Sequence, residues 1–151
     1  MDTRSARRYS TIMTMDDAVT VHALSPRERE ALSDALEAAL TREPTVRVAY
    51  LFGSFQQGGG FRDVDVAVWL DEPFSLLDLG RLAYRLWSAS GRPRFEIDVV
   101  SLNDAAPEFV ARVAEDGRLV RERLPGAALE LATRARSDWL DWQSAASRLA
   151  T

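Results

Sequence analysis

Residues 51–70 read LFGSFQQGGGFRDVDVAVWL, and the fold turns on how this stretch is read. An apolar run stops at Gly53 and Ser54, a glycine cluster follows, and Asp63 and Asp65 open a second apolar run. Side chains alternate across a strand, so Asp63 and Asp65 project from one face while Val64, Val66, Val68 and Leu70 line the other. Such a strand packs a core on one side and holds unusual negative charge on the other.

Working outward, the stretch before it, VRVAYLF, has the alternation of a strand. Val46, Val48, Tyr50 and Phe52 are expected on one face, Ala49 and Leu51 on the other. Further upstream, SPRERE is a helix start. Ser25 can cap, Pro26 suits the first helical position, and Glu28 completes a capping box. Leu32, Leu36 and Leu40 then form an apolar stripe that ends before Pro44. Residues 1–24 lack sustained periodicity and are expected to be a flexible extension, with residues 25–151 as the domain. The single histidine, His22, falls in that extension and is expected to be solvated.

Downstream of the central stretch, a helix is expected after Pro73, with Leu79, Leu82, Ala83 and Leu86 inward and Gly91 as its stop. FEIDVVSL is a third strand, in which Glu96, Asp98 and Val100 share a face. A short helix over 106–114, an edge strand in GRLVRER and a long last helix from Pro125 complete the chain. The order predicts an α/β fold, a small mixed sheet flanked by helices. The last helix spaces Ala128, Leu131, Ala135, Trp139, Trp142, Ala146 and Leu149 along one stripe. That stripe either packs on its own sheet or, through Trp139 and Trp142, anchors a partner.

If the second and third strands are neighbours, Asp63, Asp65 and Asp98 converge. Two like charges 4 Å apart cost about 4 kcal/mol at an effective dielectric of 20. A carboxylate cluster therefore takes up protons or binds a cation. Oxygen donors without sulfur or imidazole favour Mg²⁺ or Mn²⁺. Gly53 lets the backbone approach a ligand closely, and Ser54 with the following N–H groups can hold phosphate oxygens. Metal ions on the aspartates and a triphosphate on Gly53–Ser54 make a nucleotidyl-transfer site.

Composition narrows the classes further. The 151 residues are 46% apolar and 28% charged, with a net charge of −4 that gives no global basis for nucleic-acid binding. All 19 basic residues are arginine, and there is no cysteine, which excludes disulfides, thiolate metal sites and cysteine nucleophiles. With no membrane-spanning apolar run, a cytoplasmic location is expected.

Gly-Ser, a short loop, Asp-x-Asp and a later strand Asp together resemble the nucleotidyltransferase superfamily of DNA polymerase beta. More narrowly, FEIDVVSLNDAAPEFVARVAEDGRLVRER and the aromatic-rich RARSDWLDWQSAASRL are similar to the minimal nucleotidyltransferase antitoxins paired with HEPN-domain ribonuclease toxins. The resemblance implies a polymerase beta-like fold, Asp63 and Asp65 as metal ligands, and Asp98 as third ligand and proton acceptor. It implies nucleotide contacts from Gly53, Ser54, Gly58 and Arg62, with ATP as substrate and Mg²⁺ or Mn²⁺ as cofactor. It further implies AMP transfer to a tyrosine of the partner toxin. The chain departs from relatives in its shorter Gly-Ser to Asp loop, in Gln57 where they carry Arg, and in Arg62 where they carry Ser. Two alternatives stay open: an antitoxin acting by binding and occlusion, and a small-molecule nucleotidyltransferase of the aminoglycoside type.

Overall fold

The computed structural model describes residues 10–13 and 20–150. Two short antiparallel strands, β1 (Ser10–Met13) and β2 (Thr20–Ala23), precede α1 (Pro26–Thr41) and β3 (Val46–Phe52). After a one-turn helix α2 (Ser54–Gln57) come β4 (Asp63–Leu70), α3 (Leu76–Ala89) and β5 (Glu96–Ser101). Helix α4 (Pro107–Asp116), strand β6 (Arg118–Glu122) and helix α5 (Ala127–Leu149) follow. The main sheet has the order β5-β4-β3-β6 and is mixed: β4 and β5 run parallel, the other pairs antiparallel.

Two apolar layers hold it together. On one face Leu32, Leu36 and Leu40 of α1 and Leu79, Leu82 and Leu86 of α3 meet Val64, Val66, Val68 and Leu70 of β4. On the other, Val110 and Val113 of α4 and Leu131 and Ala135 of α5 meet Val48, Tyr50, Ala67 and Trp69. Truncating a fully buried leucine such as Leu36 costs about 2–5 kcal/mol. Helix α1 starts as expected: the Glu28 N–H donates to Ser25 Oγ at 3.1 Å, and the Ser25 N–H donates to Glu28 Oε1 at 2.9 Å. Ser75 and Asp78 repeat the device on α3. Past β5, the Asn103 amide accepts from the Leu70 N–H at 3.0 Å and donates to the Leu70 carbonyl at 2.8 Å. It thereby extends the ladder beyond the strand.

Three expectations are corrected. Val46 lies with Ala49 and Leu51, not with Val48, because the β3–β4 register shifts between Val46 and Val48. The extra residue, Arg47, stacks its guanidinium 3.6 Å from the centre of the Trp69 ring. His22 is not solvated but 3% exposed, packed against the rings of Phe61 and Phe95. Within residues 1–24, expected as a flexible extension, β2 is bonded to the central loop: the His22 N–H donates to Phe61 O at 2.7 Å, and the Phe61 N–H to His22 O at 3.0 Å. Residues 1–9 and 14–19 of that expectation lie outside the described residues.

The last helix divides. Ala128, Leu131 and Ala135 are buried, whereas Trp142 is 64% and Leu149 88% exposed, so the outer turns stand clear of the body. Trp139 is half-buried between the two regions. No helix among the described residues is long and apolar enough to cross a membrane.

Candidate nucleotidyl-transfer site

The chain leaves β3 through Gly53, at φ 79° and ψ −160°. Positive φ alone favours glycine there, and a Cβ would also sit 2.4 Å from Asp65 Oδ2. Glycine is thus what allows the backbone and the Asp65 carboxylate to share this space. Ser54 follows with its side chain exposed at the first residue of α2.

The register of the sheet brings the acids together. Phe52 pairs with Asp65 across the antiparallel side, and Asp65 pairs with Asp98 across the parallel side. Asp63, Asp65 and Asp98 each offer a carboxylate oxygen, and the three oxygens lie within 4.8 Å of one another. Among the described residues, none of the three takes part in a salt bridge. The electrostatics respond accordingly. Burial, followed by the Asp63 charge, raises Asp65 above the ordinary carboxylate range. Burial, a hydrogen bond with Asp63 and the charges of Asp63, Asp65 and Glu96 push Asp98 up to about 6. Three converging carboxylate oxygens, with Asp65 and Asp98 holding their protons abnormally tightly, fit a hard divalent cation.

Sequence reasoning missed the group that holds the loop between Ser54 and Asp63. From α1, Arg29 donates through Nη1 to the Phe55 carbonyl at 2.5 Å and through Nη2 to the Gly59 carbonyl. Its guanidinium also lies 5.0 Å from the Phe55 ring centre and 5.5 Å from that of Phe61. The loop is thus pinned near its start and at its middle by one cation, beneath a cluster of aromatic rings. The carbonyl partners are 26 and 30 residues away, so nothing in SPRERE separates Arg29 from its neighbours.

The expected nucleotide contacts fall into two sets. Gly53 and Ser54 adjoin the acids, while Gly58 and Arg62 are exposed on the loop. A cavity of about 150 Å³ opens beside Gly53, lined by Phe52, Gln57, Phe109, Arg112 and Asp116 among others. Gln57, which stands where the resembled family carries an arginine, lines this cavity without an arginine's charge.

A family model described as polymerase beta, nucleotidyltransferase matches residues 34–125. A search of curated proteins found no match. Among solved structures, the chain is similar to one in a mutant MntA–HpeT toxin–antitoxin, at 20% identity and a TM-score of 0.65, covering 78% of this chain and 94% of that one. It is similar to a chain in the complex of tri-AMPylated Shewanella oneidensis HEPN toxin with MNT antitoxin, at 20% identity and a TM-score of 0.64, covering 81% and 95%. A toxin–antitoxin with AMP-PNP gives 23% identity and a TM-score of 0.65, covering 78% and 94%. At such identities the likeness is one of fold.

Proposed function

The chain belongs to the polymerase beta nucleotidyltransferase family, and from that premise we propose that it is a toxin–antitoxin antitoxin that transfers AMP from ATP to a tyrosine of a HEPN-type ribonuclease. The observation that carries the reading is the convergence of Asp63, Asp65 and Asp98 beside Gly53 and Ser54. Support for the partner comes from the fold's likeness to chains in toxin–antitoxin complexes, one of which holds a tri-AMPylated HEPN toxin.

In this reading Asp63, Asp65 and Asp98 hold Mg²⁺ or Mn²⁺, which supplies Lewis-acid stabilisation of charge on the phosphate oxygens. Gly53 and Ser54 cradle the phosphates, and the cavity bounded by Phe109 and Gln57 receives the nucleoside. The tyrosine oxygen attacks the α-phosphorus. The bond from that phosphorus to the bridging oxygen breaks, pyrophosphate departs, and the hydroxyl proton passes to the Asp98 carboxylate. Arg29 keeps the phosphate loop in place, and an ordered loop lowers the entropic cost of reaching the reactive geometry.

One feature favours a second reading. The outer turns of α5, with Trp142 exposed and Trp139 half-exposed, form an arm that can grip a partner without chemistry. An antitoxin using that arm alone would silence its toxin by occlusion. Intact-mass spectrometry of a HEPN-type ribonuclease, after incubation with this protein, ATP and Mg²⁺, decides between them. AMP-sized increments support transfer; a stable complex without increments replaces it with occlusion.

A further inference from the structure

The triad has two sides. Gly53 and Ser54 lie on the β3 side, and Asp98 lies on β5, at the edge of the sheet. Among the described residues no strand pairs with the outer edge of β5, and Val99 and Val100 are half-buried there. Against that edge runs a groove of about 370 Å³, from Asp98 and Glu96 past Ile97 to Tyr84, Trp87 and Arg94. Its aromatic wall is built in advance. Tyr84 and Trp87 have ring centres 5.9 Å apart, and the Trp87 indole N–H donates to Pro93 O at 2.9 Å. Arg92 sits 5.6 Å from the Trp87 ring centre, and its Nη2 donates to Tyr84 Oη at 3.4 Å. To reach that position Arg92 takes φ 52°, a left-handed conformation uncommon for a side chain of its kind. Arg92 and Arg94 are exposed and in no salt bridge among the described residues.

We propose that this groove is the acceptor subsite, taken by an extended segment of the partner protein that adds along β5, puts a tyrosine hydroxyl at Asp98 and points acidic residues at Arg92 and Arg94. The inference rests on the transfer reading above and names where its second substrate binds. In-line displacement requires the attacking oxygen to arrive opposite the departing pyrophosphate. With phosphates on Gly53 and Ser54, that approach is from the β5 side. An open strand edge supplies main-chain hydrogen bonds to an extended peptide, and side-chain pockets beside it supply selectivity. Tyr84 and Trp87 offer an apolar, aromatic wall suited to a tyrosine ring. The charges sort the flanks: Glu96 and Asp98 repel acids near the triad, and the two arginines attract them at the far end. A nucleic-acid acceptor fits less well, because its phosphates would lie against exposed Glu96.

The test uses the ¹⁵N-labelled protein with Mg²⁺ and a non-hydrolysable ATP analogue, titrated with a tyrosine-centred pentapeptide flanked by glutamates. Its lysine-flanked counterpart and a short RNA serve as comparison probes. Amide shifts are expected at 97–100 and at Tyr84, with the acidic peptide binding about tenfold more tightly than the basic one. Arg92→Glu with Arg94→Glu should invert that preference, and Tyr84→Ala should weaken both peptides. All three positions are exposed, so the fold should survive. Shifts confined to α5, equal binding of the two peptides, a preference for RNA, or no shifts at all would overturn the proposal. Incubating the same peptides with ATP and reading their mass scores the transfer step separately. A peptide that occupies the groove and is never adenylylated counts against the reaction, not against the groove.

Discussion

At its first residues β4 presents Asp63 and Asp65 to Asp98 with no salt bridge among the described residues, while one residue past its last Asp71 sits between two arginines. Arg123 donates to both Asp71 oxygens, at 2.5 and 2.8 Å, and Arg47 approaches to 3.9 Å. The hydrogen bond from Arg123 holds the Asp71 carboxyl below its ordinary range, whereas Asp65 and Asp98 are pushed above theirs. The same residue type is neutralised just past one end of β4 and left in mutual repulsion at the other. Neutralised charge serves the fold; charge left unbalanced in a partly buried place marks where a ligand supplies the balance.

The largest effect should come from emptying the unbalanced end. Asp63→Asn with Asp65→Asn should cut AMP transfer by on the order of 10³-fold or more, a loss of several kcal/mol of transition-state stabilisation. Thermal denaturation should show the fold unharmed or firmer, since repulsion is relieved; a collapse in melting temperature would assign these residues to structure instead.

Next in size is the cation itself. Mg²⁺ or Mn²⁺ at 100 times its dissociation constant should stabilise the protein by about 2.7 kcal/mol. The double variant should show none of this in calorimetry, and a wild-type protein indifferent to divalent ions would remove the basis of the comparison.

A smaller effect separates the ends by pH. Asp98 is raised to about 6, so the folded chain holds a proton that the unfolded chain releases between its ordinary value and 6. Without metal, the Asp98 contribution to stability therefore grows as pH falls through 6, and it is absent in Asp98→Asn. Asp71, lowered, contributes stability present above its ordinary value and lost as pH falls below it. His22, lowered by burial and then by Arg94, is likewise lost as pH falls through 6.5, so the difference between wild type and Asp98→Asn is the quantity to plot from urea titrations. A difference of the opposite sign would mean that the acids are already balanced.

The smallest effect belongs to the neutralised end. Asp71→Asn should lower the melting temperature slightly and leave transfer unchanged, because this pair is partly exposed and screened. Loss of transfer would tie the two ends together through β4.

Much of this contrast was legible in the residues. Alternation placed Asp63, Asp65 and Asp98 on one face, and the cap of α1 was written in Ser25, Pro26 and Glu28. Nothing local marks Asp71 as an ion-pair partner, because its arginines come from β3 and from beyond β6. The bulge at Arg47 was hidden because a one-residue slip leaves local alternation intact. Strand β2 escaped because four residues carry little periodicity and His22 meets Phe61 only in the folded chain. The stripe of α5 was read correctly as a pattern, yet periodicity cannot say where the body beneath it ends. Long-range partners, not local propensities, account for each miss.

The parallel ladder that pairs Asp65 with Asp98 has a consequence for descent. Two of the three clustered acids are set opposite each other by main-chain hydrogen bonds, which are indifferent to the identity of the surrounding side chains. A lineage can therefore exchange most of its residues and keep the spacing of these acids, provided that the strands stay in step. A single-residue insertion inside β4 or β5 would do more damage than dozens of substitutions outside them. Such an arrangement inherits its chemistry through alignment of the backbone, and this is how a chain can share one-fifth of its residues with a solved structure while keeping its architecture.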